Sequence, residues 1–242
     1  MSSTSRRGGP IVSAAFALLG MIVLIGLGTW QIERKAWKEG LIATLDRRLN
    51  EAPVALPPPE QWSALAQNDT EFTRVRLQVT FPGAGDALVY AGGSSVRDDV
   101  KEPGYFVFSL ARLPDGRQIA VNRGFTLSRS YPAPPASQEI VGSLRWPEAP
   151  SWFVAAHDTS GEIWTARDTP AMASLKQWGT IAPFYIEQES PVPPGGVPHP
   201  APLTVHLRNE HLQYAITWYG LAAALAVMFV IGMRKRRRES PR

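Results

Sequence analysis

Three residues at the start of the second apolar stretch of the sequence have side chains that could bind a ligand together. His211 opens this stretch, and Tyr214 and Trp218 follow it at i+3 and i+7. This spacing puts an imidazole and two aromatic rings on one face of an α-helix. A histidine close to a bilayer is a candidate functional residue. A histidine that faces lipid headgroups has the same pattern, so the spacing alone leaves both interpretations open.

A second set of candidate residues follows the first apolar stretch. Trp30, Arg34 and Trp37 also share a helix face. One interpretation is an interfacial aromatic belt with an arginine that extends to the membrane surface. The other is the wall of a cofactor site, in which Arg34 pairs with a carboxylate such as a haem propionate.

The sequence gives no sign of catalysis elsewhere. It has no glycine-rich phosphate loop, no Gly-x-Ser-x-Gly and no His-Glu-x-x-His. His206 and His211 are five positions apart, which is a poor spacing for a helical metal pair. The chain has no cysteine, which excludes a lipid-modified anchor, covalent c-type haem and thiol redox chemistry. We therefore expect a protein that is not an enzyme and has no catalytic residue.

Two stretches are long enough to cross a bilayer, which takes about 20 apolar residues. Residues 8–32 carry no charge, and neither do residues 212–233. The first stretch is longer than the core of a signal peptide and ends in a poor cleavage site, which favours an uncleaved anchor.

The charges at the two ends indicate the topology. Arg6 and Arg7 precede the first span, and a basic cluster, 234–238, follows the second. Basic residues beside a span favour the cytoplasm, so both termini are predicted to be cytoplasmic. Arg34, Lys35 and Lys38 lie on the opposite side, but long loops translocate largely regardless of charge. The formal charge of +4 thus reflects membrane anchoring and does not indicate nucleic-acid binding.

The region between the spans predicts a domain of short strands. Residues 73–81 alternate between apolar and polar side chains, and Pro114-Asp115-Gly116 predicts the turn of a hairpin formed by 105–112 and 118–123. Further strands are predicted at 87–91, 139–146, 162–166 and 184–189. The prediction is a mostly antiparallel β (α+β) extracytoplasmic domain flanked by two transmembrane helices. The pattern does not choose between a barrel and a sandwich.

The predicted helices complete this organisation. The first span continues as a helix to about residue 50, a short helix covers 61–67, and Asp168 caps a helix that reaches Trp178. The predicted segments are a cytoplasmic N-terminus (1–10), a first span (11–32), the extracytoplasmic domain (33–208, with a proline-rich linker at 191–202), a second span (209–233) and a basic cytoplasmic tail (234–242).

Four stretches resemble the surfeit locus protein 1 family, assembly factors of haem-copper cytochrome c oxidase. They are Gly28-Thr29-Trp30-Gln31 with Arg34 and Trp37-Lys38; Glu71-Phe72 with Arg74-Val75; Asp115-Gly116 with Val121-Asn122-Arg123-Gly124-Phe125; and Asn209-Glu210-His211 through Ala222. They occur in the family's order and span residues 28 to 222. Two positions depart from the family pattern, which usually has asparagine at Glu210 and tryptophan at Phe125.

The resemblance implies a haem-handling assembly factor. It implies that the protein binds haem a transiently and assists its insertion into the oxidase's haem-bearing subunit, with His211 as the iron ligand. We expect Tyr214, Trp218, Trp30 and Arg34 to complete the cofactor site. The expected partners are that subunit, the lipid bilayer and, as a further candidate, the haem a synthesis enzymes. The alternative is a membrane-anchored scaffold that stabilises oxidase subunits without binding haem.

The expected location follows from the same features. The chain has no long presequence rich in arginine and serine. We therefore expect a multi-pass protein of the bacterial plasma (inner) membrane. We also expect Gly124, at the end of the central hairpin, to have a backbone conformation that other residues avoid.

Overall fold

A computed structural model describes residues 9–94, 96–149, 157–158, 162–204 and 209–239. The predictions about Arg6, Arg7 and His206 fall outside these residues. The chain forms two compact units: a helical unit (1–43 and 207–242) and a domain (44–206).

The helical unit consists of two long apolar helices. Helix α1 spans Gly9–Asn50 and helix α4 spans His211–Glu239. Within them, Val12–Asn50 and His211–Lys235 qualify as membrane spans by length and hydropathy. Only 6% of the most apolar window of each is buried, which distinguishes both from the core helices of a soluble protein. The chain is a membrane protein with two spans. Helix α1 also continues to Asn50 without a break, as predicted.

The domain is rich in strands. Its strands are β1 (Val54–Ala55), β2 (Arg74–Thr80), β3 (Ala87–Ala91), β4 (Gly104–Arg112), β5 (Gln118–Thr126), β6 (Ser137–Arg145), β7 (Ile163–Trp164) and β8 (Ile181–Ser190). A 3₁₀ helix (Pro59–Ala64) and two short α-helices, α2 (Gln67–Thr70) and α3 (Thr169–Leu175), complete it. Most of these strands agree with the sequence predictions, but the predicted strand 162–166 is reduced to the two residues of β7.

Five strands close into a barrel. The order is β2-β6-β8-β5-β4, and the ring closes where Thr80 of β2 pairs with Arg112 of β4. Strand β8 runs parallel to β5, β1 to β2 and β7 to β3, while the remaining pairs are antiparallel. The domain is therefore mostly antiparallel, as predicted, and the structure identifies it as a barrel and not a sandwich.

Two apolar clusters form the core. The first takes buried side chains from all five strands of the ring, with Trp62 of the 3₁₀ helix packed edge-on against Phe184 at 5.3 Å between ring centroids. Its strand residues alternate in sequence, as in the exposed-to-buried repeat of β2. The second cluster lies on β3, β4, β5 and β8 and includes Met172 and Ala173 of α3. Strands β4, β5 and β8 thus contribute buried apolar side chains to both clusters.

The predicted cap of α3 is present, but this helix is shorter than predicted. The carboxylate of Asp168 accepts a hydrogen bond from the backbone amide of Ala171 at 3.1 Å. The helix ends at Leu175, and the following Gln177 has a φ of 56°. This left-handed conformation ends the helix before Trp178. The helix predicted at 61–67 is likewise replaced by the 3₁₀ helix and α2.

Gly124 has the backbone conformation that its place in the hairpin predicts. Its φ is 123°, and a Cβ atom there would collide with the carbonyl group of His199. The backbones of Phe125 and His199 exchange two hydrogen bonds, of 2.7 and 3.0 Å, beside this glycine. The proline-rich segment 191–202, which was predicted to be a linker, is therefore fastened to β5 as part of the domain's packing.

A buried arginine supports the same segment. Arg97 has no exposed side-chain surface and forms two hydrogen bonds, of 2.6 and 2.7 Å, to the carboxylate of Asp99. It also donates to the carbonyl oxygen of His199 at 3.0 Å and lies 3.9 Å from the buried carboxylate of Glu187. The hydrogen bonds from Arg97 lower the pKa of Asp99 and so keep this pair charged.

Candidate functional site

The helical unit is held together by small residues on α1 and larger residues on α4. A side chain at Gly28 would collide with the ring of Tyr219, and one at Gly20 would press against Leu225. The hydroxyl groups of Thr29 and Tyr219 also form a hydrogen bond of 3.1 Å. Small residues let two membrane helices approach closely. Because contacts move down α4 as they move up α1, the helices run antiparallel.

This packing brings His211 against a residue that the sequence reasoning did not select. The Nδ1 atom of His211 lies 2.6 Å from the amide oxygen of Gln31. Gln31 is only 9% exposed, although it is a polar residue at the end of an apolar span. Such a residue needs a hydrogen-bond partner, and His211 supplies it.

Two of the predicted site residues, Trp30 and Arg34, lie beside this contact and not within it. Trp30 is 53% exposed, and Arg34 stacks on the ring of Trp37 at 3.9 Å. Among the described residues, neither forms a hydrogen bond with His211, and Arg34 has no ion-pair partner. Within the helical unit, the guanidinium of Arg34 thus lies against an aromatic ring.

The remaining predicted residues lie on the same side of the helix pair. Arg34 is three residues after Gln31, and Tyr214 is three residues after His211, so each is rotated by about 60° from the contact in the same sense. In an antiparallel pair, equal rotations of this kind point to one side. On ideal helix geometry, Trp30 is rotated by about 100° and Trp218 by about 20° in the same sense. Trp30, Arg34, Tyr214 and Trp218 therefore lie on one side of the contact, and we call this side the aromatic flank.

The residues of the aromatic flank lie at different positions along the helix axes. Tyr214 is about 4.5 Å from His211 along α4, in the direction of the span's apolar interior. Arg34 is about 4.5 Å from Gln31 in the opposite direction. The aromatic rings therefore lie toward the apolar interior, the arginine lies toward the polar side, and His211 lies between them.

The chemistry of this surface fits a porphyrin with an iron centre. His211 offers an imidazole, a common ligand of haem iron. Among the described residues, the indole Nε1 of Trp218 is buried without a hydrogen-bond partner, and so is the Oδ1 atom of Asn209. Tyr214 is 51% exposed and presents an apolar ring. An imidazole, aromatic rings, an indole donor and an arginine can each contact part of such a ligand.

A signal for Gln31 is present in the sequence, although the helical spacing of the aromatic residues does not select it. Gln31 belongs to the motif Gly28-Thr29-Trp30-Gln31 and is the only strongly polar side chain between residues 12 and 32 apart from hydroxyl groups. A polar residue inside a span is a functional candidate. The shared face of the tryptophans indicates the neighbouring positions instead.

The described residues contain no cluster of three or more histidine, aspartate or glutamate side chains suited to a metal ion.

Comparison with known proteins identifies the family of this chain. The model of the SURF1 family matches residues 18–223. The chain belongs to the SURF1 family. The matched range includes the domain, His211, Gln31 and the whole aromatic flank.

Individual SURF1 relatives cover most of the chain. The SURF1-like protein of Monosiga brevicollis is 34% identical, over 97% of this chain and 92% of its own length. Surfeit locus protein 1 of Rattus norvegicus is 32% identical, over 93% of this chain and 76% of its own. Its counterpart of the same name in Homo sapiens is also 32% identical, over 88% and 74% of the two chains. The similarity therefore concerns the whole architecture and not one motif.

Proposed function

We propose that this SURF1-family protein is an assembly factor of haem-copper cytochrome c oxidase that binds haem a at the aromatic flank and assists its insertion into the haem-bearing subunit. Membership of a family of oxidase assembly factors supports the assembly role. The observation that carries the haem-binding part is the position of His211. Its imidazole stands at the start of a span, with Nδ1 bonded to Gln31 and aromatic rings on one side.

Each residue of the site has a separate task in this proposal. Haem a, when bound, would supply an iron that accepts an imidazole ligand. His211 would offer Nε2 as the ligand atom, while Tyr214 and Trp30 would pack against the apolar ring system. The unpartnered Nε1–H of Trp218 donates to an acceptor group, and Arg34 pairs with a carboxylate. None of these tasks is a catalytic step, so the protein acts as a carrier and not as an enzyme.

The exposure of the site suits a carrier. Trp30 and Tyr214 are each about half exposed, and the aromatic flank opens to one side of the helix pair. A deep, closed pocket would retain its ligand. An open site with one protein ligand allows the ligand to pass to a partner, which in this proposal is the haem-bearing subunit.

We test the role of His211 by replacing it with alanine. The expected result is that His211→Ala stays in the membrane but loses most of its bound haem a and lowers oxidase activity, because the coordinate bond is gone. Arg34→Ala should have a smaller effect, because it removes one charge pair. Haem a content and oxidase activity of membranes are measured in strains that carry each variant.

A second histidine provides the control. His199 forms its hydrogen bonds to Phe125 and Arg97 through its backbone, so His199→Ala keeps these bonds. It should retain both haem a and oxidase activity. Unchanged haem a content in His211→Ala would contradict the ligand assignment. If the wild-type protein binds no haem and oxidase assembly still depends on it, the scaffold alternative is favoured.

The proposed location is the bacterial plasma membrane, with the domain outside the cytoplasm and both termini inside. The basic residues 234–238 support this orientation. A periplasmic reporter such as alkaline phosphatase should be active when fused after Ser190 and inactive when fused after Arg242. A reporter that is active after Arg242 would reverse or refute this topology.

A further inference from the structure

The contact between Gln31 and His211 determines which ring nitrogen of the histidine is free. The atom that faces Nδ1 is the amide oxygen of Gln31, at 2.6 Å. An amide oxygen can only accept a hydrogen bond, so Nδ1 must carry the proton. In a neutral imidazole the other nitrogen, Nε2, then has a lone pair and no proton. This is the form of histidine that coordinates iron through Nε2.

The position of the amide is fixed by the surrounding helices. Gln31 is one turn of α1 beyond Gly28, whose backbone lies against the ring of Tyr219. The Thr29–Tyr219 hydrogen bond fixes the same register from the neighbouring residue. Gln31 is 9% exposed, so its side chain is held close to His211.

We propose that Gln31 is a positioning residue that holds His211 in its Nδ1–H tautomer and presents Nε2 as the iron ligand. The part of this inference that concerns iron rests on the proposed function. The part that concerns the tautomer of His211 does not. An acceptor on the second nitrogen of a metal-bound histidine fixes the ring's orientation and increases its basicity. Loss of such a partner typically reduces metal affinity by about 10- to 100-fold.

A purely structural role for Gln31 makes a different prediction. If the hydrogen bond between Gln31 and His211 only connects α1 to α4, its loss would destabilise the helix pair as the loss of any other interhelical hydrogen bond does. Tyr219→Phe is the matched control for that case. It removes the hydrogen bond to Thr29 and keeps the aromatic ring against Gly28. A positioning role predicts that Gln31→Leu changes His211 and that Tyr219→Phe does not.

The first measurement uses the full-length protein without haem. Histidine labelled with ¹⁵N is incorporated, and NMR in detergent micelles reports the tautomer from the chemical shifts of the two ring nitrogens. The signal of His211 is identified by its absence from His211→Ala. We expect the Nδ1–H tautomer in the wild type and in Tyr219→Phe, and a mixture of tautomers in Gln31→Leu. Gln31→Glu keeps an acceptor oxygen and should restore the Nδ1–H form.

The second measurement uses the same variants with ferrous haem a. Resonance Raman spectroscopy gives the iron–histidine stretching frequency, which rises with the basicity of the imidazole. We expect Gln31→Leu to lower this frequency and to weaken haem a binding by about tenfold or more. Tyr219→Phe should match the wild type in both respects, and Gln31→Glu should keep or raise the frequency.

The two measurements separate this inference from the proposed function. An Nε2–H tautomer in the wild type, or an unchanged tautomer in Gln31→Leu, would overturn the role of Gln31 even if haem a binds. A wild-type protein that has the Nδ1–H tautomer but binds no haem a would overturn the proposed function and still support the tautomer assignment. An equal loss in Gln31→Leu and Tyr219→Phe would show a structural bond only.

Discussion

The domain and the helical unit use their arginines in opposite ways. In the domain, the buried arginines Arg97, Arg123 and Arg145 each have a carboxylate within ion-pair distance. In the helical unit, Arg34 has no ion-pair partner among the described residues and stacks on a tryptophan. The charges of these three arginines are thus paired within the domain, whereas Arg34 lies against an aromatic ring.

The apolar residues differ between the two units in the same way. The domain buries several large rings almost completely, including Trp164, Trp178 and Phe184, although its Tyr90 is 50% exposed. The helical unit leaves Trp30 and Tyr214 about half exposed. The domain is therefore the unit in which substitutions should affect folding, and the aromatic flank is the surface on which they should affect ligand binding. The following predictions test that division.

The largest effect on folding is expected at Gly124. Replacing it with glutamate would force a Cβ atom into the backbone of His199 and Pro200 at a φ of 123°. The atoms that it would meet belong to the backbone and not to a flexible side chain, so strand β5 or the proline-rich segment must shift. We expect Gly124→Glu to cost more than about 4 kcal/mol of folding free energy. Immunoblots of membrane fractions should show strongly reduced protein.

Gly83 gives a matched control for this substitution. Its φ is also positive, 72°, but a Cβ atom added there would have no other atom of the described residues within 4 Å. Gly83→Glu thus adds the same charge at a backbone cost of about 1–2 kcal/mol, without a collision. Its abundance should stay near that of the wild type. Equal abundance of the two variants would show that the contact with His199 does not stabilise the domain.

A smaller effect on folding is expected at Arg97. Arg97→Met keeps much of the side-chain volume but leaves Glu187 buried without its cation, which typically costs about 3–5 kcal/mol. The control, Arg76→Met, breaks an exposed ion pair with Glu139, worth about 0–1 kcal/mol. Thermal unfolding of the purified proteins measures the difference.

The haem a content of the Arg97→Met variant tests the division between the units. Those Arg97→Met molecules that remain folded should each carry as much haem a as the wild type, because Arg97 belongs to the domain. A loss of haem a at full stability would contradict the assignment of ligand binding to the helical unit.

A strand was predictable from the sequence where its buried and exposed sides produce an alternation of apolar and polar residues. Residues 73–81 alternate strictly, and β2 has the predicted buried positions. The turn at Pro114-Asp115-Gly116 determined the hairpin for the same local reason. The closure of the barrel was not predictable, because it depends on a single long-range pairing of Thr80 with Arg112. The docking of segment 191–202 was missed because its hydrogen bonds come from the backbone of His199, which no side-chain pattern reveals.

The candidate site was predictable to a similar extent. Helical spacing grouped Tyr214 and Trp218 with His211, and it grouped Trp30 with Arg34. Spacing within one helix cannot show which residue of a second helix faces it, so Gln31 was missed. That information depends on the rotation of each helix in the pair, which Gly28 and Tyr219 determine by close packing.

The visible spectrum of the purified protein tests the central claim most directly. Wild-type protein and His211→Ala are each produced together with the enzymes of haem a synthesis, purified in detergent and compared at equal protein concentration. The proposed function predicts the absorption bands of haem a in the wild type and their loss, or a marked shift, in His211→Ala. A wild-type spectrum without haem a, or identical spectra for the two proteins, would contradict it.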